Sequence, residues 1–294
     1  MGGQFLTLIL LLSRVELAVA GGTMPIVNVN GINLYYEVTG AGFSVVLCHG
    51  YTGSHQDWMF QVPPLSQNYE VVAMDYRGHG SSEAPSSAGA YSIPILAEDV
   101  HTLLKHLAIT ECCLVGHSLG GFVALQLAID KPSLIHSLVL VDTSSEWIEL
   151  PGYPELQLKL NQIARTEGME AVFEYNAQHN PLSQKSFAKY PRLREISKRR
   201  MAETSVSGYV YVARAIGQWQ PLTPRLKEIS SPTLVVVGEE DTPFLQPSEL
   251  LAKSIPHSRL HVIPEATHSP QIETPDLFNQ ILLSFLAQVA PTST

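Results

Sequence analysis

Ser118 lies in residues 116–121, whose sequence GHSLGG fits the pattern G-x-S-x-G. The apolar residues 112–115 before it predict a strand, and residues 119–129, rich in Ala, Leu and Val, predict a helix. A serine at such a tight strand-to-helix turn exposes its hydroxyl beside the free N–H groups of the helix, which favour a developing negative charge. We therefore predict that Ser118 is the nucleophile of an acyl-transfer reaction.

A serine nucleophile needs a general base, and the chain has 11 histidines. His268 stands out because it follows a predicted strand, residues 259–263, and precedes the final predicted helix. Loops at the carboxyl ends of strands are where α/β sheets place catalysis. We predict that His268 is the base, while His117 shapes the turn around the serine and His261 is a packing residue inside its strand.

The histidine in turn needs an orienting carboxylate. Asp241 follows the predicted strand of residues 233–237, and Asp142 ends the predicted strand of residues 137–141. The chain order Ser, Asp, His is one that catalytic triads adopt, and it favours Asp241. Asp142 is kept as the alternative acid.

Two backbone N–H groups are expected to stabilise the negatively charged oxygen of the reaction intermediate. One belongs to Leu119, directly after the nucleophile. The other is assigned to Tyr51, in the loop of residues 49–54 that follows an early predicted strand. Arg77, in the glycine-rich residues 75–82, is interpreted as a brace for the loops around the site.

The elements that must position these residues are strands and helices in alternation. Asn30-Gly31 predicts a hairpin turn between the first two strands. Continuous apolar strands that alternate with helices indicate an α/β fold with a mostly parallel sheet covered on both faces. Besides those given above, the predicted strands are residues 26–30, 32–38, 43–48 and 69–75. The other predicted helices of the alternation are residues 93–107, 248–255 and 275–289.

Residues 144–222 contain no clear strand pattern and predict an all-helical insertion. Its predicted helices are residues 154–165, 169–178, 191–202 and 205–219. We therefore divide the chain into an α/β core, residues 24–143 and 223–294, and a helical cap, residues 144–222. The basic residues 198–200 are interpreted as a solvated face of a cap helix.

Residues 1–23 are predicted to lie outside the fold, because the strand pattern begins only at Ile26. The apolar run of residues 5–12 is too short to span a membrane. A natural start at Met24 and a cytoplasmic location are favoured. The alternative is a secretory signal that is cleaved near Ala20, since residues 18–20 resemble a signal-peptidase site.

Composition excludes several other functions. The net charge of −9 and the absence of a basic surface pattern argue against nucleic acid as a partner, and stable membrane association is not expected. Cys48, Cys112 and Cys113 lie in apolar runs that predict buried thiols. No C-x-x-C or His/Cys cluster predicts a metal site, and no cofactor is expected.

Taken together, the motifs resemble those of the α/β-hydrolase superfamily. The matching pieces are residues 49–54, 75–82, 116–121 and 238–241, and His268. The resemblance implies an α/β-hydrolase fold with a helical cap. Relatives that open epoxides or remove halides carry aspartate at the nucleophile position, and Ser118 disfavours both activities. Residues 49–58 look like the loop of menaquinone-pathway hydrolases, but Phe122 replaces the substrate-binding arginine typical of those enzymes.

The resemblance implies hydrolysis of a small or medium ester or lactone through an acyl-enzyme. We expect a small-molecule substrate, held in an apolar pocket to which Phe122, Tyr175, Tyr209 and Trp219 contribute, with Phe173 and Tyr211 as further candidates. Carbon–carbon bond hydrolysis and a cofactor-free haloperoxidase or perhydrolase activity remain alternatives on the same residues. A ligand-sensing receptor on this fold is a further alternative, and the oligomeric state is left open.

Overall fold

The computed structural model describes residues 25–291. Within this range eight strands form one sheet, in the spatial order β1-β2-β4-β3-β5-β6-β7-β8. The strands are β1 (Ile26–Val29), β2 (Ile32–Thr39), β3 (Ser44–Cys48), β4 (Glu70–Met74), β5 (Cys112–His117), β6 (Ile135–Val141), β7 (Thr233–Gly238) and β8 (Ser258–Ile263). β1 and β2 pair antiparallel, β2 joins β4 antiparallel, and all later pairings are parallel.

The hairpin between β1 and β2 forms where the sequence predicts it. Asn30 and Gly31 both have positive φ, 49° and 77°, as the favoured two-residue hairpin turn requires. Each predicted strand is present, with ends that differ by at most two residues. The mostly parallel α/β sheet is therefore confirmed.

Helices cover both faces of the sheet and insert between β6 and β7. They are α1 (Val62–Leu65), α2 (Ile93–His106), α3 (Leu119–Asp130), α4 (Tyr153–Thr166), α5 (Met169–His179), α6 (Pro181–Lys189), α7 (Pro191–Glu203), α8 (Val206–Gly217), α9 (Thr242–Ser254), α10 (Pro270–Glu273) and α11 (Pro275–Val289). Short 3-10 helices, among them His55–Trp58, connect some of these elements. No helix within residues 25–291 is both long and apolar enough to span a bilayer.

The hydrophobic core has two layers because successive strand residues point to opposite faces. On β3, Val46 packs in the layer formed with α2, α3 and α9, whereas Val45 and Leu47 pack in the layer formed with α1 and α11. Every residue of β3, β5 and β7 is buried. Such a sheet is rigid, so the loops at its carboxyl edge are held in fixed positions. The three cysteines are buried and unpaired, as the sequence predicts.

Helices α4 to α8 lie between β6 and β7 and have a small core of their own, built around Leu160, Val172, Phe173 and Tyr209. Four of these five helices were expected. The fifth, α6, has a weak apolar pattern with only Ser186 buried, so periodicity does not predict it, and its one sequence signal is the start, Asn180 at the N-cap followed by Pro181. The division of the chain at residues 144 and 222 stays a prediction.

One core helix is longer than its sequence indicates. α9 begins at Thr242 and not at residue 248, although Pro243 and Pro247 lie in the added turns. Pro243 lies in the first turn, where the backbone N–H groups have no partner within the helix, so the N–H that proline lacks is not missed. Pro247 lies inside the helix.

The predictions about residues 1–23 lie outside the residues that the structure describes.

Candidate active site

Ser118 occupies the sharp turn between β5 and α3. Its backbone has φ 53° and ψ −112°, a conformation that residues other than glycine rarely adopt. The chain stays in it because the Ser118 N–H donates to Val141 O on β6 (2.9 Å) and because Gly116 and Gly120 are in close contact across the turn. A Cβ at Gly120 would also collide with the carbonyl oxygen of Cys48 on β3. The strained serine therefore depends on glycines at both sides.

The structure brings Ser118, His268 and Asp241 into one hydrogen-bonded chain. His268 Nε2 lies 3.0 Å from Ser118 Oγ, and His268 Nδ1 lies 2.7 Å from Asp241 Oδ2. Each residue follows the carboxyl end of a different strand, β5, β8 and β7 respectively. These distances are within hydrogen-bonding range and match what a serine, its base and an orienting acid require.

The carboxylate beside His268 sets the proton affinity of that side chain. Burial alone would lower the pKa of His268, but the charge of Asp241 and its hydrogen bond outweigh burial, so the pKa lies above its ordinary value of 6.5. A histidine with a raised pKa accepts a proton readily, which is the property a general base needs. Phe244 packs against the imidazole, with ring centroids 4.8 Å apart.

His117 fixes the position of the loop that carries His268. Its Nε2 lies 2.6 Å from the carbonyl oxygen of His268. Burial and the neighbouring His268 hold the pKa of His117 well below its ordinary value, so the ring is neutral and donates its Nε2–H to that carbonyl. The interpretation of His117 as a residue that shapes the site agrees with this contact.

Leu119 and Tyr51 both line the cavity beside Ser118. Within residues 25–291 neither of these two backbone N–H groups donates a hydrogen bond. In α3 the first N–H groups that are hydrogen bonded are those of Gly121 and Phe122. The Tyr51 side chain is held by the cap: its hydroxyl donates to Tyr209 O (2.6 Å), and the two rings stack at 5.2 Å. Two N–H groups without a protein acceptor thus line the same cavity as the serine, and their role in binding an oxyanion stays a prediction.

A cavity of about 280 Å³ lies over the serine, between the sheet edge and helices α4 to α8. Of the aromatic residues proposed for the pocket, Phe122, Tyr209 and Phe173 line it. Tyr175, Trp219 and Tyr211 do not, and for these three the expectation is wrong. Helical periodicity predicted their helices but could not show which side of each helix faces the cavity.

The three misplaced aromatic residues have other contacts. Trp219 stacks behind Phe122 at 4.8 Å and donates its Nε1–H to Gln126 Oε1 (3.1 Å), so it supports a lining residue from outside the cavity. Tyr175 stacks on His179 at 3.9 Å, one turn along α5. Tyr211 packs against Tyr91 of the core, with ring centroids 5.6 Å apart.

Arg200 on α7 is a site residue that the sequence analysis missed. It lines the cavity, its side chain is only 12% exposed, and its Nη1 donates to the fully buried carboxylate of Asp57 (2.8 Å). The basic run was interpreted as a solvated face, which is wrong for this member. The available signal was spacing: Leu193, Ile196 and Arg200 recur at intervals of three and four, which places them on one buried face of the helix.

Further contacts support the loops from behind. Arg77 forms a bidentate pair with the buried Asp99 (2.6 and 2.7 Å), which agrees with its predicted role as a brace. Among residues 25–291 one group of three potential metal ligands lies close together, Asp142, Asp241 and His268. Both nitrogens of His268 are already hydrogen bonded to Ser118 and Asp241, so this group fits a proton-transfer chain better than a metal site.

Comparison with known proteins agrees with this geometry. A family model described as alpha/beta hydrolase fold matches residues 44–275. A putative 2-succinyl-6-hydroxy-2,4-cyclohexadiene-1-carboxylate synthase from Bacillus subtilis (strain 168) is 29% identical over 281 residues, covering 91% of this chain and 100% of that protein.

Solved structures give the same result. A thermophilic esterase from Thermogutta terrifontis has a TM-score of 0.80 and 27% identity, covering 91% of this chain and 98% of that one. An enol-lactonase from Burkholderia xenovorans LB400 has a TM-score of 0.79 and 28% identity, covering 90% and 100% respectively. These similarities support an enzyme that hydrolyses small substrates, and the chain belongs to the alpha/beta hydrolase fold family.

Proposed function

We propose that this protein hydrolyses a small or medium ester or lactone through an acyl-enzyme on Ser118. The observation that carries the proposal is the continuous chain of hydrogen bonds from Ser118 Oγ through His268 to Asp241, with distances of 3.0 and 2.7 Å. The similarity to an esterase and to an enol-lactonase is consistent with it.

In the proposed mechanism, Ser118 Oγ attacks the substrate carbonyl carbon while His268 Nε2 takes the hydroxyl proton. The carbonyl oxygen becomes an oxyanion that the N–H groups of Leu119 and Tyr51 stabilise. His268 then gives its proton to the leaving alkoxide, and the carbon–oxygen bond breaks to leave an ester on Ser118. A water molecule deprotonated by His268 releases the acid and restores the serine. Asp241 keeps Nδ1 protonated and stabilises the imidazolium throughout.

The cavity limits the substrate to a small molecule. Its volume of about 280 Å³ is lined near the serine by Leu119 and Phe122, and farther out by Phe173 and Tyr209 of the helical insertion. This apolar surface favours an acyl or alkyl group without charge. Arg200 and Lys185 add cations at the wall, but each is already paired with a carboxylate, Asp57 for Arg200 and Glu240 for Lys185.

A serine-directed fluorophosphonate probe tests the nucleophile. Wild-type protein should be labelled on Ser118, and Ser118→Ala should lose both labelling and ester turnover by several orders of magnitude, because the triad acts as a unit. Ser144→Ala is the matched control, since Ser144 also lines the cavity but donates its hydroxyl to Glu146 O (2.6 Å). Labelling that survives in Ser118→Ala would refute the assignment.

A substrate panel tests the reaction type. Esters of increasing acyl length, lactones of increasing ring size and 1,3-diketones should be compared at saturation, with Ser118→Ala as the blank. We expect turnover of esters or lactones. Turnover confined to the 1,3-diketones would favour carbon–carbon bond hydrolysis on the same residues.

A further inference from the structure

Asp142, the rival acid of the sequence analysis, lies directly behind the site. It follows β6 with a positive φ of 43°, and it is fully buried. Its N–H donates to Val236 O on β7 (2.9 Å), and its Oδ1 accepts the N–H of Gly238 (2.9 Å). Asp142 is therefore fixed to the last residue of β7, Gly238, three residues before Asp241, which caps the start of α9.

The other oxygen of this carboxyl group has no hydrogen-bond donor. Asp142 Oδ2 is buried, and no group within residues 25–291 donates to it. One carboxyl oxygen of Asp142, one of Asp241 and one ring nitrogen of His268 all lie within 4.8 Å of one another, so the two carboxyl groups are close neighbours. Two carboxylates in this position would repel each other if both were ionised.

The surroundings decide which of the two carries a proton. Asp241 accepts a hydrogen bond from the Nδ1–H of His268, and the imidazolium that forms during proton transfer favours the charged form of Asp241. Burial and the charge of Asp241 raise the pKa of Asp142 well above its ordinary value of 3.8, and Glu273 raises it further, whereas the Gly238 N–H opposes the shift. The titratable groups facing Asp142 are thus Asp241, His268 and Glu273, and the nearest of them is a carboxylate.

We propose that Asp142 is a neutral carboxylic acid whose Oδ2–H donates a hydrogen bond to Asp241 and so holds the acid of the triad in its orientation. Asp142 touches neither the substrate nor the reacting atoms, so it is a positioning residue. The proposal rests on the function proposed above, because Asp241 matters here as the partner of His268. A neutral donor orients Asp241 without adding a second negative charge behind the imidazole.

Asp142→Asn is the matched variant. The amide keeps the shape, its oxygen can accept from Gly238, and its Nδ2–H can donate to Asp241 as the protonated acid does. We expect kcat within about threefold of wild type. Asp142→Ala removes the donor, and we expect a loss of about tenfold or more in kcat with little change in KM. Without this donor the charge of Asp241 acts undiminished on His268, so the acid limb of kcat/KM should move to higher pH.

Two readouts do not depend on turnover. At pH 7 the infrared difference spectrum, wild type minus Asp142→Asn, should contain the carbonyl band of a protonated carboxylic acid. The second readout is thermal stability. Because the pKa of Asp142 is raised in the folded protein, Asp142 contributes stability that is fully present below pH 3.8 and is lost as the pH rises toward the folded pKa. Asparagine does not ionise, so the Asp142→Asn variant does not lose this stability. Its Tm relative to wild type should therefore increase with pH.

A fall of more than about a hundredfold in kcat for Asp142→Asn would overturn the proposal, because an ionised Asp142 would then be required. Misfolding of Asp142→Asn, absence of the infrared band, or a Tm difference that does not change with pH would also overturn it. If Asp142→Ala fails to fold, the asparagine variant decides alone. If instead Ser118 proves unlabelled, the proposed function fails, and the infrared and Tm results still report on Asp142.

Discussion

The sheet edge that carries the triad and the helical insertion that covers it position their residues by different means. At the sheet edge, backbone contacts fix each residue: the Ser118 N–H bonds to β6, and the Gly238 N–H bonds to Asp142. In the insertion, side chains such as Arg200 and Tyr209 reach the cavity from one face of a helix. The sheet edge thus carries the proposed chemistry and the insertion adds much of the cavity wall, so substitutions in the two regions should separate kcat from KM.

The largest effect is expected at the sheet edge. His268→Gln keeps a polar side chain of similar reach but cannot act as a base, so kcat should fall by about 10³- to 10⁶-fold with the fold intact. The measurement is kcat on one ester at saturation, with circular dichroism as the check on folding. A variant that keeps a tenth of wild-type turnover would remove His268 from the proposed mechanism.

His261→Gln is the control for that experiment. The sequence predicts a packing role for His261, but His261 is exposed on β8, the edge strand of the sheet, because β8 has a solvent-facing side. Its replacement should leave kcat and Tm near wild type.

The next largest effect is expected on stability, at the ion pair between Arg200 of the insertion and Asp57 of the core. Arg200→Gln leaves the buried Asp57 carboxylate without its cation, and burial already raises the pKa of Asp57 against the influence of Arg200. Loss of one partner of a buried pair costs about 3 kcal/mol or more, so the free energy of unfolding in urea should fall by that amount. Exposed Arg199 gives the control, and Arg199→Gln should change stability by less than about 0.5 kcal/mol.

If the two arginine variants are equally stable, Arg200 does not hold the insertion to the core. Retained stability together with a raised KM for substrates that bear a carboxylate would instead make Arg200 a ligand-binding group. The experiment therefore distinguishes a structural contact from a substrate contact.

The same contrast explains how far the sequence could predict this molecule. Ser118, Asp241 and His268 could be located because each follows a predicted strand, a continuous apolar one for Ser118 and Asp241, and parallel strands bring their carboxyl ends to one edge. Tyr175 and Trp219 could not be placed, because a helix with apolar residues on several sides does not reveal which side meets the cavity. The relation between Asp142 and Asp241 was also hidden, since it depends on two neighbouring strands whose pairing the sequence does not state.

A smaller effect should separate lining from non-lining aromatic residues. Tyr209→Leu shortens a side chain at the cavity wall, so KM for esters that reach it should rise by about tenfold while kcat changes less. Tyr175→Leu removes a ring that stacks on His179 away from the cavity, and KM should stay at the wild-type value. Equal changes in KM for both variants would show that the pocket extends to α5 beyond Phe173 and Asn176.

The smallest effect is a shift in pH dependence. His268 must be neutral to accept a proton, so kcat/KM should fall as pH drops through its folded pKa, which lies above 6.5. Asp241 supplies both the charge and the hydrogen bond that raise this pKa, whereas burial lowers it. In Asp241→Asn the two largest raising contributions are lost, while burial and the smaller raising influence of Glu273 remain. The acid limb should therefore move to lower pH, although the maximal rate falls by about 10²- to 10⁴-fold.

The raised pKa of His268 should also make the thermal stability of the protein depend on pH. A raised folded pKa of His268 contributes stability that is present below 6.5 and lost as pH rises through the folded value. The difference in Tm between wild type and Asp241→Asn should thus be larger at pH 6 than at pH 8. The double variant with Asp142→Asn removes the one other carboxyl group of the cluster that could ionise in place of Asp241, so its acid limb should lie lowest. An acid limb that stays in place in both variants would mean that a different group, with Glu273 the nearest candidate, controls the proton affinity of His268.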